Sequence, residues 1–264
     1  MQIKFFWTWA ALQPTKDNTY FLIEDWKSKL QVDCWGGLWL AQRVRRWEIS
    51  FNNLFITHSH SDHLLGFFHL LKIFWRNESK DKTKFNIYCS KKIESNIRTI
   101  SGITLWNGSK RRLDNINFFY NDDLIEKKIW DFSLIPLNLN SIKMEQYGFL
   151  LKNKWKKILF FWDEAINILE RDDLDELSEI DYLICEALIP EYDSIDWGWN
   201  TDLVKFQHIS AKQAWKIATK LNAKNLILIH TREIEDRVIK LKKDAELSFN
   251  WNIIIPNDWY LLKI

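Results

Sequence analysis

Glycine is scarce in this sequence, seven residues in 264, while tryptophan is abundant at sixteen. Cysteine is scarce too. Cys34, Cys89 and Cys185 are odd in number, far apart and without a C-x-x-C pair. That excludes a disulfide framework and a thiolate zinc knuckle, and it fits a reducing compartment. An excess of charge is also missing. Thirty-seven basic against 35 acidic residues leave a net charge of +2, which argues against a nucleic-acid wrap or a polyanion sink. Basic clusters at Arg43, Arg45 and Arg46, at Lys110, Arg111 and Arg112, and at Lys154, Lys156 and Lys157 read as solvated faces and turns. No apolar run approaches membrane-spanning length, and the opening MQIKFF lacks the apolar core and cleavage site of a signal peptide. Linkers, repeats and low-complexity tracts are absent. The expectation is a cytoplasmic protein with no membrane partner and one domain over residues 1–264, its 47% apolar content ample for a core.

Short β-type runs alternate with amphipathic stretches. QIKFF, TYFLIE and KLQVD open the chain, LWLAQRVRR follows as a helix, and NLFIT precedes a second apolar helix, LLGFFHLLKIF. The middle gives FNIYC, the helix KKIESNIRTI, and strands at INFFY, FSLIPLNL, YGFLLK and KILFF. A helix near 164–171, the strand YLICEA, the helix SAKQAWKIATKL, the strand NLILIH, the helix EIEDRVIKLKKDAEL and strands NIIIP and YLLKI complete it. Some strands meet by hairpins and others through helices, which predicts an α/β fold with mixed sheets flanked by helices. YDSIDWGWN is the one long loop candidate.

The tryptophans stand where glycine belongs. EDWKSK, NKWKK, FNWNI and NDWYLL each place Trp after Asp, Asn or Lys between strand-like runs. Asp-Gly and Asn-Gly are the favoured hairpin turns because one residue there needs a positive φ. WTW, DCWGGLW and DWGWN add further cases. Glycine and tryptophan together make about 9% of the chain, near the ordinary share of glycine alone, about 7%. We expect that many of these letters represent codons, UGA for instance, that the source organism reads as glycine. If they are true tryptophans, the turns at Trp26, Trp251 and Trp259 are strained and the fold is marginal.

The densest chemistry lies in FITHSHSDHLLG, residues 55–66. Residues two apart on an extended strand point to the same side, so His58 and His60 can share one ion. Asp62 and His63, at the start of a helix, can turn toward a second. Imidazole and carboxylate suit Zn²⁺, with Mn²⁺ or Fe also served. An H-x-H-x-D-H match is far more specific than a lone histidine.

THSHSDH resembles the signature of the metallo-β-lactamase superfamily, and the similarity runs along most of the chain in order. FFWTWAALQPTKDNT is similar to the LGTGAA-P opening of the RNase Z-like branch once two Trp are read as Gly, and VDCWGG matches its Asp and glycine turn. KILFFWDEA resembles the strand ending in Gly-Asp, which makes Asp163 the bridging carboxylate, with Trp162 in the glycine place. LILIH resembles the strand that delivers the last metal-binding histidine, His230. The resemblance implies a four-layer αββα sandwich, two mixed sheets flanked by helices, with the site at one edge between the sheets. It implies two zinc ions, with Asp33 orienting a ligand histidine from behind. One departure stands out. The family expects a histidine before the YGF strand, and PLNLNSIKMEQYGF offers only Asn140, whose carbonyl oxygen is a weak zinc ligand. The His58–His60 site is therefore expected to be loose, water-completed or empty, while Asp62, His63, Asp163 and His230 keep a full set.

His208, in FQHISAKQAW, precedes a Ser210–Gln213 capping-box spacing, which puts it at a helix N-terminus where an anion is favoured. In the RNase Z-like and related phosphodiesterase branches a histidine in this setting contacts phosphate or protonates the leaving oxygen. His208 and Asp62 are the expected catalytic residues. His69 reads as a partly buried helix histidine, Glu186 as a strand-end carboxylate or an outer partner of the site, and Arg232 as a surface ion pair. The resemblance implies a metal-dependent hydrolase that uses a metal-activated hydroxide on a phosphodiester, RNA among the substrates considered, with a homodimer left open. Only about twenty residues separate Asn140 from Asp163, too few for the packed tRNA-gripping arm of many bacterial relatives. Two alternatives remain: a carboxylic ester, thioester or lactone hydrolase of the same fold, and a non-catalytic protein with a degraded metal site.

Overall fold

In the computed structural model the strand runs pair into two seven-stranded sheets. The structure describes residues 1–10, 18–35, 37–46, 48–77, 85–104, 113–122, 124–141, 144–161, 168, 171–188, 208–231, 237–246 and 252–264. Trp162, Asp163, Arg232, Trp251, the Lys110–Arg112 cluster, the loop YDSIDWGWN and most of the helix expected near 164–171 lie outside them.

The first sheet takes β1 (Gln2–Trp7), β2 (Tyr20–Asp25), β3 (Ser28–Val32), β4 (Asn53–Phe55), β5 (Phe85–Cys89) and β6 (Ile116–Tyr120). The second takes β7 (Lys127–Ile129), β8 (Phe132–Asn138), β9 (Tyr147–Lys152), β10 (Lys157–Phe161), β11 (Tyr182–Glu186), β12 (Asn225–Ile229) and β13 (Asn252–Ile254). The last strand, β14 (Tyr260–Lys263), returns to the first sheet beside β1. The orders are β14-β1-β2-β3-β4-β5-β6 and β13-β12-β11-β10-β9-β8-β7. Each sheet is half antiparallel and half parallel: β14 through β3 alternate in direction, and β3 through β6 run together. In the second sheet β7 through β10 alternate, and β10 through β13 run together. Among the described residues, six helices connect or cover these strands: α1 (Gly37–Arg45), α2 (Ser61–Leu64), α3 (Phe67–Asn77), α4 (Lys91–Thr104), α5 (Ala211–Lys220) and α6 (Arg237–Glu246).

The pattern of apolar residues explains the layering. Ile3, Phe5, Phe21, Val32 and Phe55 of the first sheet share one buried cluster with Phe132, Phe149, Phe160, Ile184 and Ile227 of the second. Phe21 meets Phe160 edge-on at 5.2 Å between ring centroids, and Phe55 meets Phe149 likewise at 4.9 Å, the offset geometry that aromatic quadrupoles favour. The outer face of the first sheet, with Leu54, Ile56 and Ile87, packs on Leu40, Leu70 and Ile93 from α1, α3 and α4. The outer face of the second, with Leu226 and Leu228, packs on Ala214, Ile217 and Leu241 from α5 and α6. This is the helix–sheet–sheet–helix sandwich expected from the sequence. The runs LFF, LICE and LILI in β10, β11 and β12 are buried on both faces, which is why they read as continuous apolar strings and not as alternation. No described helix is long and apolar enough to cross a membrane.

Candidate metal centre and active site

Strand β4 ends at Phe55, and the chain then leaves the ladder carrying Thr57 and His58 inward. The N–H of Thr57 donates not to a neighbouring strand but to Asp33 Oδ1, at 2.9 Å, and its hydroxyl sits 2.9 Å from Asp33 Oδ2. Asp33 follows β3 with a φ of 53°, a left-handed bend that swings its carboxylate across the end of β4. Its Oδ2 lies 2.8 Å from Nδ1 of His63, and both side chains are buried. Asp33 thus occupies Nδ1 of His63 and leaves Nε2 facing Asp62 Oδ2 at 3.3 Å. Thr57 does the same for His58. Its Oγ1 is 3.0 Å from His58 Nδ1, while His58 Nε2 points at His60 Nδ1, 2.8 Å away.

The short helix that carries Asp62 and His63 is pressed against the Asp33 turn by a residue without a side chain. A Cβ on Gly66 would lie 2.1 Å from the backbone oxygen of Cys34 and 2.8 Å from that of Trp35. The Cys34 N–H in turn donates to the His63 carbonyl at 2.9 Å. Among the chain's few glycines, Gly66 is needed for close approach of two backbones.

The second sheet contributes from the ends of β11 and β12. His230 follows β12 with a φ of 52°, buried, its ring centroid 5.9 Å from that of His63. Glu186, fully buried at the end of β11, accepts the Ile209 N–H at 3.3 Å through Oε1 and holds His208 Nδ1 at 2.7 Å through Oε2. The His208 and His230 rings stack at 5.8 Å. Glu186, His208 and His230 each offer a ligand atom within 4.8 Å of the others. The capping box at α5 forms as expected. Gln213 N–H donates to Ser210 Oγ and Ser210 N–H to Gln213 Oε1, which fixes the helix start two residues after His208.

His58, His60, Asp62, His63, His208 and His230 therefore collect at one edge between the sheets, backed by Asp33 and Glu186. Asn140 lies past the end of β8, exposed, with a φ of 53° and its N–H donating to Asn138 Oδ1. The next strand, β9, begins beside the histidine motif, since the Tyr147 N–H donates to Thr57 O at 3.1 Å. His69 is exposed on α3. Asp163 lies outside the described residues. The pairing of Glu186 with His208 was not assigned from the sequence. Its signal was there, a carboxylate closing the apolar string YLICE, but partner choice is set by tertiary packing.

The donor set suits a metal. Two ligands each about 2.0–2.1 Å from a tetrahedral zinc lie about 3.3 Å apart, close to the His58–His60 and Asp62–His63 spacings of 2.8 and 3.3 Å. Each of His58 and His63 has its Nδ1 held by a second residue, the arrangement that fixes tautomer and ring orientation in metal sites. Electrostatics agrees. Burial, reinforced by neighbouring imidazoles, pushes the protonation of His58 and His230 well down, so both are neutral and able to ligate. His63 differs: burial disfavours its charge, but the carboxylates of Asp33 and Asp62 outweigh that and raise it. Asp62 is held far below the usual carboxylate range, because His63 overcomes the cost of burying the charge.

A model of the β-lactamase superfamily domain matches residues 30–231. The chain belongs to that superfamily. Its fold is the metallo-β-lactamase sandwich. It is similar over its whole length to solved members of that fold. The metallo-β-lactamase fold protein YhfI from Bacillus subtilis superposes with a TM-score of 0.74 at 14% identity, over 99% of both chains. The short form of human tRNase Z (ELAC1) gives 0.70 at 17% identity, over 100% of this chain and 99% of that one. A diphosphatase of the PhnP family gives 0.68 at 13%, over 99% and 97%. No curated protein matches the chain by sequence. At these identities the metallo-β-lactamase neighbours establish the fold and not the activity.

Proposed function

We propose that this metallo-β-lactamase-fold protein is a metal-dependent phosphodiesterase. The observation that supports it most is the buried Glu186 holding His208 Nδ1 at 2.7 Å beside the metal-suited cluster. The fold neighbours include a tRNase Z and a diphosphatase of the PhnP family, which favours phosphorus over a carbonyl as the reacting centre. His58 and His60 would hold one divalent ion, and Asp62, His63 and His230 a second, with Asp163 a further carboxylate ligand by the resemblance of KILFFWDEA to the family pattern. Zinc fits this nitrogen and oxygen set best. When bound, such ions would supply an activated water and a Lewis acid for the phosphoryl oxygen.

The chain's own residues would do the remainder. Asp33 and Thr57 engage the Nδ1 atoms of His63 and His58, so that Nε2 would be the ligating atom of each. Asp62, kept as carboxylate by His63, is placed to accept the proton of the attacking water. Glu186 engages Nδ1 of His208, so that Nε2 would be the donor to the leaving oxygen. The partly exposed edge between the sheets admits substrate, while the fully buried Asp33, His58 and Glu186 stay preorganised.

The test is hydrolysis of bis(p-nitrophenyl) phosphate by zinc- or manganese-loaded protein, beside p-nitrophenyl acetate. His208→Ala should lower phosphodiester kcat by about 10²–10⁴ and leave ester cleavage nearly unchanged. Faster turnover of the acetate ester than of the phosphodiester, with neither lowered by His208→Ala, would favour the carboxylic-ester reading, and no turnover with metal loaded would favour a non-catalytic protein.

A further inference from the structure

We propose that the four tryptophans seated in β-turns, Trp26, Trp130, Trp155 and Trp259, are glycine in the working protein, the codon being one its source reads as glycine. The structure supplies three observations for this that composition does not.

The first is backbone geometry. Ile129 pairs with Phe132, so Trp130 and Asp131 form a two-residue hairpin loop, and Trp130 takes a φ of 52°. A positive φ at the first loop residue is the position where tight hairpins carry glycine. At the other site the Tyr260 N–H donates to Asn257 O at 3.2 Å, closing a four-residue turn whose third member, Trp259, has a φ of 66°. A positive φ there defines a type II turn, which glycine or asparagine normally supplies. A bulky side chain at either point is a conformational outlier. Trp26 fills the two-residue loop between Asp25 and its partner Ser28, and Trp155 lies in the loop closed by Asn153 N–H on Lys156 O at 3.0 Å.

The second is exposure. Trp26 is 91% exposed, Trp155 79%, Trp130 70% and Trp259 50%. None of the tryptophans whose side chains are described is buried, whereas most of the described phenylalanines are. Large indoles are ordinarily among the more buried side chains. Trp259 has ring neighbours in Phe6, Trp7 and the Arg43 guanidinium, and the Lys154 ammonium lies over the Trp155 ring at 5.8 Å.

The third is that a turn the sequence pattern did not single out obeys the same rule. Trp130 in KIWDF precedes its aspartate instead of following one, yet it sits in a tight hairpin at a positive φ. The association is with turn geometry and not with a particular flanking residue.

The direct experiment is peptide mass spectrometry of the protein isolated from its source, together with the codons at these four positions. Glycine masses at 26, 130, 155 and 259 are expected, and tryptophan masses from UGG codons would overturn the proposal. A second measurement reads the physical cause. Trp130→Gly and Trp259→Gly should each raise Tm by a few degrees, and Trp130→Ala and Trp259→Ala, which remove the indole but keep the Cβ, should gain clearly less. Equal gains for alanine and glycine, or a fall in Tm with glycine, would contradict it. Neither measurement depends on catalysis, so the outcome is independent of the phosphodiesterase reading.

Discussion

Asp33 and His63, thirty positions apart in sequence, lie 2.8 Å apart through Oδ2 and Nδ1 with both side chains buried. The same carboxylate takes the Thr57 N–H, so one residue ties the end of β3 to the strand end and the helix that carry the histidine motif. Asp33→Asn should weaken zinc affinity about 10–100-fold, as is usual for the partner behind a ligating histidine. Chelator competition reads this directly. An unchanged affinity would show that His63 is not a ligand.

The buried histidines give metal-free protein a particular pH dependence. His58 and His230 are held neutral by burial and by surrounding imidazoles. Below the ordinary imidazole value, about 6.5, the unfolded chain binds protons there that the folded chain does not, so stability falls as pH falls. His63 has the opposite sign. Its protonation is raised by Asp33 and Asp62 against the cost of burial, so its contribution is present below about pH 6.5 and lost as pH climbs through the raised value. Tm in excess EDTA should therefore peak near the ordinary imidazole range and fall on both sides. Zinc should remove the alkaline fall, because the bound ring carries no proton. A monotonic profile in EDTA would contradict these assignments.

Glu186 acts through His208 and is a positioning residue. Glu186→Gln keeps the shape but loses the charge that steadies the imidazolium. Phosphodiester kcat should drop about tenfold or more with KM little changed, and the alkaline limb of the pH–rate profile should move to lower pH. A pure folding defect would instead lower the active fraction and leave the profile where it was.

Asn140 has a φ of 53°, a region in which histidine, like asparagine, is enriched among side-chain-bearing residues. Asn140→His should be accepted by the backbone and raise metal content per chain under native mass spectrometry. No change would place the missing ligand elsewhere on the loop.

The layers and the site were legible in the sequence to different degrees. LILI and LFF announced strands, and the Ser210–Gln213 spacing announced the start of α5, because each signal is local. β7, three residues long, was not visible, since KKI has neither the length nor the alternation of a strand and its hairpin turn carries Trp130. The histidine motif was read because it is contiguous. The Glu186–His208 contact was not, because it joins the end of β11 to a residue twenty-two positions on, just before the α5 cap, a pairing that no local pattern encodes.

The central claim is that histidines from opposite sheets serve one centre. The direct measurement is zinc stoichiometry and affinity of the parent protein, His63→Ala and His230→Ala, each shown to be folded by circular dichroism. The account predicts that His230→Ala, altered in the second sheet, loses zinc as severely as His63→Ala in the first. Full zinc retention by folded His230→Ala would contradict it.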